Sequence, residues 1–327
     1  MKAFLTFATA GVALAMHAGL AFAQDAPEQT EITIGLPVTT ATFLPLYLAE
    51  EEGYFTDEGL TVEIVAFRGG TDLVRGMVAG AVDIGVGALA ETLVGIESGQ
   101  ELRAFYGGFN MGIFEWYAVE GINSIAESKG KRFGVTTFGS STDFLTRYAL
   151  NSNGLDPQSD VQIIQGGGSG ARLAAMDAGQ LDVNIFAAPE KFIAADQGYK
   201  LIYTQKDIAA DYPNHVFYAP KATIEENPNT MKAILRAFVK GVRLAKEDKA
   251  RSVKLISERI GVEENYAELT YDDFIDELYE DGRLPSDAGM QAFWDIGIEN
   301  GLYTEVWDKE LWLDTTFMDS FEEWKPE

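Results

Sequence analysis

Glycine, serine, threonine and alanine recur in this sequence where helices are predicted to begin directly after strands. Such helix starts expose unpaired backbone N–H groups and carry a partial positive charge, and small residues let a ligand approach the backbone closely. This chemistry holds a small anion, or the anionic end of a zwitterion, without many arginines or lysines. Taken singly, each loop is better explained as a tight turn, but their repetition in two halves of the chain favours a shared site. The predicted helix starts are Thr39 to Thr42, Gly69 to Asp72, Gly87-Ala88, Gly139 to Thr142, Gly166 to Gly170 and Ala187 to Pro189.

Aromatic side chains cluster near the same loops. They suit the apolar wall of a ligand pocket, although core packing is the simpler explanation for each one taken alone. The aromatic residues concerned are Phe43, Phe67, Phe109, Phe138 and Phe186.

A few charged or titratable side chains also stand near these loops. Arg68 and Arg172 are the cations nearest to strand ends, and either suits pairing with a carboxylate or sulfonate; a solvated surface position explains both equally well. Glu91 and Glu190 each begin a predicted helix, where a carboxylate either accepts from a ligand amine or, more simply, caps its own helix. His215 is expected either to donate a hydrogen bond in the cleft or to serve structurally in a strand.

A sequence repeat sets the positions of these residues. Val62 to Glu91 aligns without a gap on Val161 to Glu190, 99 residues later, with nine identities in thirty positions. Each copy is predicted to run strand, glycine-rich turn, helix, Gly-x-apolar-Asp turn, strand and the start of a second helix. Because a fixed-period repeat normally means repeated structure, the sequence predicts two lobes of one design that face each other across a cleft.

Strands that alternate with helices predict an α/β fold with largely parallel sheets covered on both faces. The aromatic stretch at 102–120 breaks this rhythm, and its later half is predicted to cross between the lobes, with Asn214 to Tyr218 as the returning strand. From Pro228 onward the pattern changes to amphipathic helices and a tryptophan-containing tail, which we expect to pack on the first lobe. The predicted division is a signal peptide at 1–23, a discontinuous first lobe at 24–115 and 216–327, and a second lobe at 116–215.

The first residues predict export. Lys2 is followed by an apolar run from Phe4 to Leu20 and by Ala21-Phe22-Ala23, the pattern of a cleavable secretory signal peptide. A transmembrane anchor is the alternative, but the run is broken and short for a bilayer. The sequence has no cysteine, so bacterial lipid attachment is excluded, and a large core makes disulfides unnecessary. We therefore expect a soluble periplasmic protein, without stable membrane insertion, that acts as a monomer.

Composition excludes several function classes. Without Lys2 the predicted mature chain keeps 25 − 1 = 24 basic residues against 51 acidic ones, a net charge of −27. That charge repels phosphate backbones and anionic lipids, so no nucleic-acid partner is expected. After loss of His17 with the signal, His215 is the single histidine; His/Cys metal sites are excluded, and a Ser-His-Asp triad would have to include it. We predict no catalytic residue, no metal and no cofactor.

A set of motifs in fixed order carries a family resemblance. The motifs are Pro45-Leu46-Tyr47-Leu48-Ala49-x-Glu51-x-Gly53-Tyr54-Phe55, Gly59-Leu60-x-Val62, Gly69-Gly70, Gly80-x-x-Asp83-Ile84-Gly85, Gly130-Lys131-Arg132-Phe133-Gly134-Val135 and Gly179-x-x-Asp182. With these motifs the chain resembles the periplasmic substrate-binding proteins of ABC importers that serve nitrate, taurine and alkanesulfonates, a family with thiamine-precursor relatives. The resemblance covers nearly the whole chain after the signal.

The resemblance implies a type II periplasmic-binding fold, in which two α/β lobes joined by two crossover hinge strands close over a small-molecule ligand. It also implies an ABC permease as partner. In that family the loops that match Thr39-Thr40, Gly69-Gly70, Ala88, Ser140-Ser141 and Pro189 surround the ligand.

We therefore predict a receptor that captures a small organic anion or zwitterion, a sulfonate or carboxylate with or without an aromatic or heterocyclic body, and delivers it to an importer. Two alternatives stay open. One is a receptor for a sensor or secondary transporter. The other is an enzyme or binder of the thiamine-pyrimidine-precursor type on the same scaffold; the enzymes have a cysteine-rich iron motif and a set of histidines, which this sequence lacks. The candidate ligand-binding residues are Thr39, Thr40, Phe43, Arg68, Gly69, Gly70, Ala88, Phe109, Ser140, Ser141, Gly167, Pro189, Glu190 and His215.

Overall fold

The computed structural model describes residues 26–327, so the predicted signal peptide lies outside the described residues. Strands and helices alternate through the first two thirds of this part of the chain, and helices predominate after it. The strands are β1 (Glu31–Leu36), β2 (Thr61–Ala66), β3 (Ile84–Gly87), β4 (Leu102–Phe109), β5 (Glu115–Ala118), β6 (Arg132–Val135), β7 (Gln162–Gln165), β8 (Val183–Phe186), β9 (Lys200–Thr204) and β10 (His215–Pro220).

The α-helices are short in the lobes and longer near the C-terminus, and four short 3-10 turns accompany them among the described residues. Within residues 26–327, none of the helices combines the length and apolarity that crossing a bilayer requires. The helices are α1 (Leu44–Glu51), α2 (Tyr54–Asp57), α3 (Gly70–Val78), α4 (Leu89–Glu97), α5 (Ser141–Ser152), α6 (Ser169–Asp177), α7 (Glu190–Asp196), α8 (Lys206–Ala209), α9 (Lys221–Glu226), α10 (Pro228–Glu247), α11 (Lys249–Ile260), α12 (Glu264–Phe274), α13 (Asp287–Glu299), α14 (Thr316–Asp319) and α15 (Phe321–Trp324).

The strands form two five-stranded sheets of the same design. The first has the order β2-β1-β3-β10-β4 and the second the order β7-β6-β8-β5-β9. In each sheet, the first three strands in this order pair in parallel. The fourth strand runs antiparallel to the third and to the fifth. We call each sheet with the helices that cover it the first and the second lobe. The α/β class and the two-lobed architecture predicted from the repeat are confirmed.

The aspartate of each repeat has the same structural role. The Asp83 carboxylate accepts a hydrogen bond from the backbone N–H of Thr33 at 2.8 Å, and the Asp182 carboxylate accepts from the N–H of Arg132 at 2.9 Å. Thr33 and Arg132 lie 99 residues apart, as the two aspartates do. Each carboxylate therefore ties the start of a central strand to the turn that precedes its parallel neighbour, which explains why the repeat keeps an aspartate there.

The antiparallel strands are the two crossovers. β5 enters the second lobe directly after the stretch that leaves β4, and β10 returns the chain to the first lobe between β3 and β4. The predicted domain boundaries, 115/116 and 215/216, follow the first residue of each crossover strand. The division itself stays a prediction.

The C-terminal helices cover the first lobe and also reach the second. α10 packs on α1 and buries its predicted apolar face of Ile234, Phe238 and Val242. α13, however, packs against α5 and α8 of the second lobe, with the rings of Phe293 and Phe144 6.0 Å apart. The C-terminal segment thus contacts both lobes, whereas the sequence indicated packing on the first alone.

The predicted helix start at Gly69 to Asp72 begins without a side-chain cap. Thr71 and Asp72 are residue types that commonly cap helices, but α3 begins at Gly70 and neither side chain caps it. Thr71 Oγ1 instead donates to the Phe138 carbonyl across the cleft at 2.8 Å, and Asp72 pairs with arginines along the helix surface. α13 does have a side-chain cap, because Ser286 Oγ accepts from the N–H of Gly289.

Replacement of Asp83 by alanine is expected to lower the free energy of unfolding by about 1–3 kcal/mol, since a partly buried N–H of Thr33 loses its charged acceptor. Urea denaturation followed by circular dichroism measures this. Asp308→Ala, at an exposed position, is the control and should change stability by less than about 0.5 kcal/mol. Equal effects of the two substitutions would contradict the structural role of the repeat aspartate.

Candidate ligand-binding cleft

A cavity lies between the two lobes, at the carboxyl ends of the parallel strands of both sheets. Its walls come from the segments that follow β1, β2 and β3 in the first lobe and β6, β7 and β8 in the second. The space between protein atoms measures about 680 Å³, part of it open to solvent. Because ligands of open α/β sheets bind beyond the carboxyl ends of the strands, this is the geometry of a binding cleft.

Most of the residues predicted from the sequence meet at this cavity. Both halves of the repeat contribute, as expected for two lobes of one design. The predicted residues that line it are Thr39, Thr40, Phe43, Gly69, Gly70, Ala88, Ser141, Pro189, Glu190 and His215.

Two predicted residues with large side chains lie outside the lining. Arg68 points into solvent, with 85% of its side chain exposed, and pairs with Asp72 at 2.9 Å. Phe109 is buried in an adjoining apolar pocket, where its ring centroid lies 4.9 Å from that of His215. Arg68 is held on the outer surface by its i,i+4 partner, and Phe109 belongs to the core of β4.

Two small predicted residues also stand behind the cavity wall. The Ser140 hydroxyl is buried and hydrogen-bonds to the hydroxyls of Thr136 at 2.7 Å and Thr142 at 3.0 Å. Gly167 uses its carbonyl to accept from Nε of Arg172 at 2.9 Å. Both residues shape the second-lobe loops and leave the cavity surface to their neighbours.

Glu91 lies at the contact between the two lobes. It is the third residue of α4 and is 3% exposed. Its carboxylate accepts from the N–H of Ala88 at 3.3 Å and lies near the N–H and hydroxyl of Ser141 in the second lobe, which lower its pKa. A methyl group added to Gly70 would come within 1.8 Å of its Cδ. The carboxylate of Glu91 therefore occupies the point where α3, α4 and α5 all begin.

Burial governs the protonation of Glu91. Desolvation raises its pKa from 4.5 to about 7, although the hydrogen bonds from Ser141 and Ala88 act in the opposite direction. No cationic side chain contributes to its pKa. Near neutral pH this carboxyl group is therefore shared between its protonated and ionised forms.

Glu190, the repeat counterpart of Glu91, lies beside a buried guanidinium. Desolvation raises the pKa of Glu190, and the charge of Arg172 partly offsets that effect. Arg172 is 1% exposed and donates from Nη1 to Asn184 Oδ1 at 2.8 Å and from Nη2 to Ser169 Oγ at 3.1 Å. Burial lowers its pKa to about 10, so it stays charged at neutral pH and mainly holds the second-lobe loops together.

His215 and Phe43 form an aromatic wall of the cavity. Their rings stack with centroids 4.2 Å apart and an interplanar angle of 12°, and His215 Nε2 lies 3.4 Å from Thr42 Oγ1. Burial lowers the pKa of His215 to about 3. The imidazole is therefore neutral at physiological pH and offers a ligand a flat, uncharged surface.

Polar contacts across the cleft hold the lobes together. Besides Glu91, the buried Lys191 of the second lobe bonds at 2.9 Å to Asp273, on α12, which is joined to the first lobe through α11. The same ammonium bonds at 3.1 Å to Glu115, at the start of the first crossover. The structure therefore represents the closed arrangement of the two lobes.

Several cavity residues were not among the candidates from the sequence. Thr142 and Arg172 could have been found from the sequence, because Thr142 belongs to a predicted helix start of the second lobe and Arg172 is a cation near a strand end. Ile113, Phe114 and Asn214 belong to the predicted crossovers, but nothing in their spacing singled them out. Ile260 comes from the end of α11, and no local pattern relates it to the cleft. The lining residues that were not among the candidates are Pro37, Val38, Thr42, Glu91, Ile113, Phe114, Thr136, Thr142, Ser169, Arg172, Ala187, Asn214 and Ile260.

Neither the cleft nor the rest of the described chain offers a metal centre. Within residues 26–327, no group of three or more histidine, cysteine, aspartate or glutamate side chains is placed to hold a metal ion. The titratable groups that line the cleft are two carboxylates, one guanidinium and one neutral imidazole.

Two α/β lobes with matching sheets, joined by two crossover strands around a cleft, define the fold of periplasmic binding proteins. Residues 40–251 match the family described as NMT1/THI5 like. The chain belongs to this family.

Known proteins similar to this chain include components of import systems. It is 30% identical to the nitrate import ATP-binding protein NrtC of Synechococcus elongatus over 63% of this chain and 34% of NrtC, so it spans about a third of that protein. It is 25% identical to the nitrate/nitrite binding protein NrtA of Nostoc sp., over 83% of this chain and 68% of NrtA. The alkanesulfonate-binding protein SsuA of Xanthomonas axonopodis pv. citri, solved with MOPS, superposes with a TM-score of 0.72 at 20% identity, over 88% of this chain and 99% of SsuA.

The raised pKa of Glu91 predicts a dependence of stability on pH. Between pH 4.5 and about 7 the folded protein keeps a proton that the unfolded chain releases, so the contribution of Glu91 to the free energy of unfolding falls as pH rises through this range. Glu91→Gln removes this term. Its stability relative to the parent protein is expected to increase by about 3 kcal/mol from pH 5 to pH 8.

Urea denaturation of both proteins at several pH values measures this difference. The lowered pKa of His215 makes both proteins less stable as pH falls below 6.5, and it cancels in the comparison. Glu305→Gln, at an exposed position, is the matched control and should give a flat difference. A flat difference for Glu91→Gln as well would mean that its pKa is ordinary.

Proposed function

We propose that this chain is a solute-binding receptor that captures a small organic ligand between its two lobes and delivers it to an ABC importer. The observation that carries the proposal is the cavity between the lobes, lined by the helix starts of both. It brings groups of both lobes together around one space, and its histidine is not part of a serine–histidine–carboxylate array.

The cleft chemistry supports binding without turnover. Its imidazole belongs to His215, which is neutral and lies against Thr42 and Phe43 rather than between a serine and a carboxylate. A nucleophile and general base must come within hydrogen-bond reach of each other. The hydroxyls of Thr136, Ser140 and Thr142 bond to one another and not to a general base. The Ser141 hydroxyl lies beside the Glu91 carboxylate, and recovery of unchanged ligand in the experiment below tests whether that pair is catalytic.

The similar proteins support import as the context. NrtA and SsuA are named as binding proteins, and NrtC as an ATP-binding protein of nitrate import. By this proposal the chain resides in the periplasm after removal of residues 1–23, acts as a monomer and docks in its closed form on a membrane permease. Of the ligands expected from the sequence, a zwitterion suits the cleft better than a simple anion, because two carboxylates line it.

Closure is the mechanical part of the proposed function. The ligand binds one lobe first, and the lobes then rotate about residues 112–118 and 214–218 until the contacts of Glu91 and Lys191 form. The permease distinguishes loaded from empty receptor by this shape. The proposed ligand-contacting residues are the ten predicted residues that line the cavity, together with Glu91.

Equilibrium binding with chemical analysis of the ligand tests the receptor proposal. Compounds found by a thermal-shift screen, in which a ligand that binds the folded state raises the melting temperature, are incubated with the protein and recovered by denaturation. We expect saturable one-to-one binding and recovery of chemically unchanged ligand. Conversion of the bound compound into a product would contradict the proposal and favour an enzyme.

Gly69 provides a test of closure. In the closed form a methyl group at Gly69, in the first lobe, would lie 2.3 Å from Oγ1 of Thr137, in the second lobe. Gly69→Ala should therefore fold normally but disfavour closure by about 1–3 kcal/mol, which weakens ligand binding about 5- to 150-fold.

Isothermal titration calorimetry with any ligand from the screen measures this loss. Gly168→Ala is the control, because a methyl group there meets no atom within 4 Å and Gly168 does not line the cavity. Unchanged affinity in Gly69→Ala would show that the protein binds its ligand without bringing the lobes this close.

A further inference from the structure

The charges that line the cleft do not cancel. Its charged groups, among the described residues, are the carboxylates of Glu91 and Glu190 and the guanidinium of Arg172. Arg172 acts electrostatically on Glu190 but makes no contribution at Glu91. One carboxylate is therefore matched by a cation of the protein, and the other is not.

The hydrogen-bond donors around Glu91 do not neutralise its negative charge. The backbone N–H of Ala88 donates to it, and the N–H and hydroxyl of Ser141 lie near it; all three are uncharged donors. The titratable side chains that respond to its charge are the buried Tyr212 and Tyr218, and burial raises the pKa of each well above 10. Both tyrosines are therefore neutral at pH 7 and supply no positive charge.

The position of Glu91 also restricts an anionic ligand. Helix starts are the usual place where a ligand anion binds, but this carboxylate already accepts from the starts of α4 and α5 and lies against Gly70 at the start of α3. A sulfonate or carboxylate brought to the same donors would displace Glu91 or lie against its negative charge. In a dry cleft that repulsion costs far more than in water.

We propose that the ligand carries a protonated nitrogen, as an ammonium, an amidinium or a protonated heterocycle, and that Glu91 pairs with it in the closed cleft. This inference rests on the proposed receptor function and specifies its ligand class. Charge-assisted N–H···O bonds to a buried carboxylate are short and strong. The stacked rings of Phe43 and His215 supply an uncharged face for the apolar body of such a ligand.

Matched pairs of compounds test this ligand class. We use taurine against ethanesulfonate, 4-(aminomethyl)benzoate against 4-methylbenzoate, and benzylamine against benzyl alcohol, inside a larger thermal-shift library that contains equal numbers of cations, zwitterions and anions. In each pair the second member lacks the protonated nitrogen. We expect the hits to carry that nitrogen and their partners to bind at least about tenfold more weakly, since hydrogen bonds to charged groups contribute about 1.5–3 kcal/mol.

The variant Glu91→Gln and the number of protons released on binding test whether Glu91 pairs with the protonated nitrogen of the ligand. For a nitrogen-bearing hit, calorimetry of the parent protein at pH 7 in two buffers of different ionisation enthalpy should show release of on the order of half a proton, because a bound cation lowers a pKa that starts near 7. Glu91→Gln should bind the hit about 10- to 100-fold more weakly and release no proton. Glu305→Gln should behave like the parent protein.

The outcomes separate this inference from the receptor proposal. Hits confined to anions, bound with proton uptake and unaffected by Glu91→Gln, would overturn the inference and leave the receptor proposal intact. Nitrogen-bearing hits that bind Glu91→Gln at full affinity and release no proton from the parent protein would overturn it too. If no member of the library binds the parent protein, the receptor proposal fails and this inference fails with it.

Discussion

The closed structure depends on one buried carboxylate, that of Glu91, at the point where three helices begin. Its acceptor atoms engage an N–H of its own helix, at Ala88, and the N–H and hydroxyl of Ser141 in the opposite lobe. Gly70 must be glycine in this arrangement, because a methyl group there would overlap the carboxyl carbon. The Glu91 side chain thus lies at the contact between the lobes and contributes to the electrostatic character of the cleft between them. Its pKa is raised because the ionised carboxylate would be buried away from water without a cationic partner.

The repeated design explains why such a cleft exists. Both sheets place three parallel strands side by side, so three loops of each lobe end at the same sheet edge. The antiparallel crossover strands β5 and β10 each lie inside the sheet that they enter, so the lobes are joined by two chain segments and can move relative to each other as hinged bodies. Asp83 and Asp182 stabilise the two sheets in the same manner. Closure then brings two equivalent sets of helix starts onto one cavity.

Much of this architecture could be predicted from the sequence, because repeats and strand–helix alternation are local signals. The repeat predicted the two lobes, and the aromatic stretch predicted the first crossover. The helix starts predicted seven of the ten candidate residues that line the cavity, and Phe43, Glu190 and His215 were predicted as aromatic or titratable residues near those loops. Details that depend on distant contacts could not be read from the chain. Ser141 rather than Ser140 faces the cavity because the hydroxyl of Ser140 bonds within its own loop. Arg68 is drawn to the outer surface by Asp72, and Ile260 arrives from a helix that begins far along the chain. The sequence showed that Glu91 begins a helix, but its contact with Ser141 depends on how the lobes close.

A crystal structure of the protein with a ligand from the screen tests the central claim most directly. The account predicts closed lobes with the ligand between them and a ligand nitrogen within about 3 Å of a carboxylate oxygen of Glu91. A ligand bound outside the cleft would contradict it. So would a closed complex in which a ligand anion occupies the N–H of Ser141 and Glu91 has turned away.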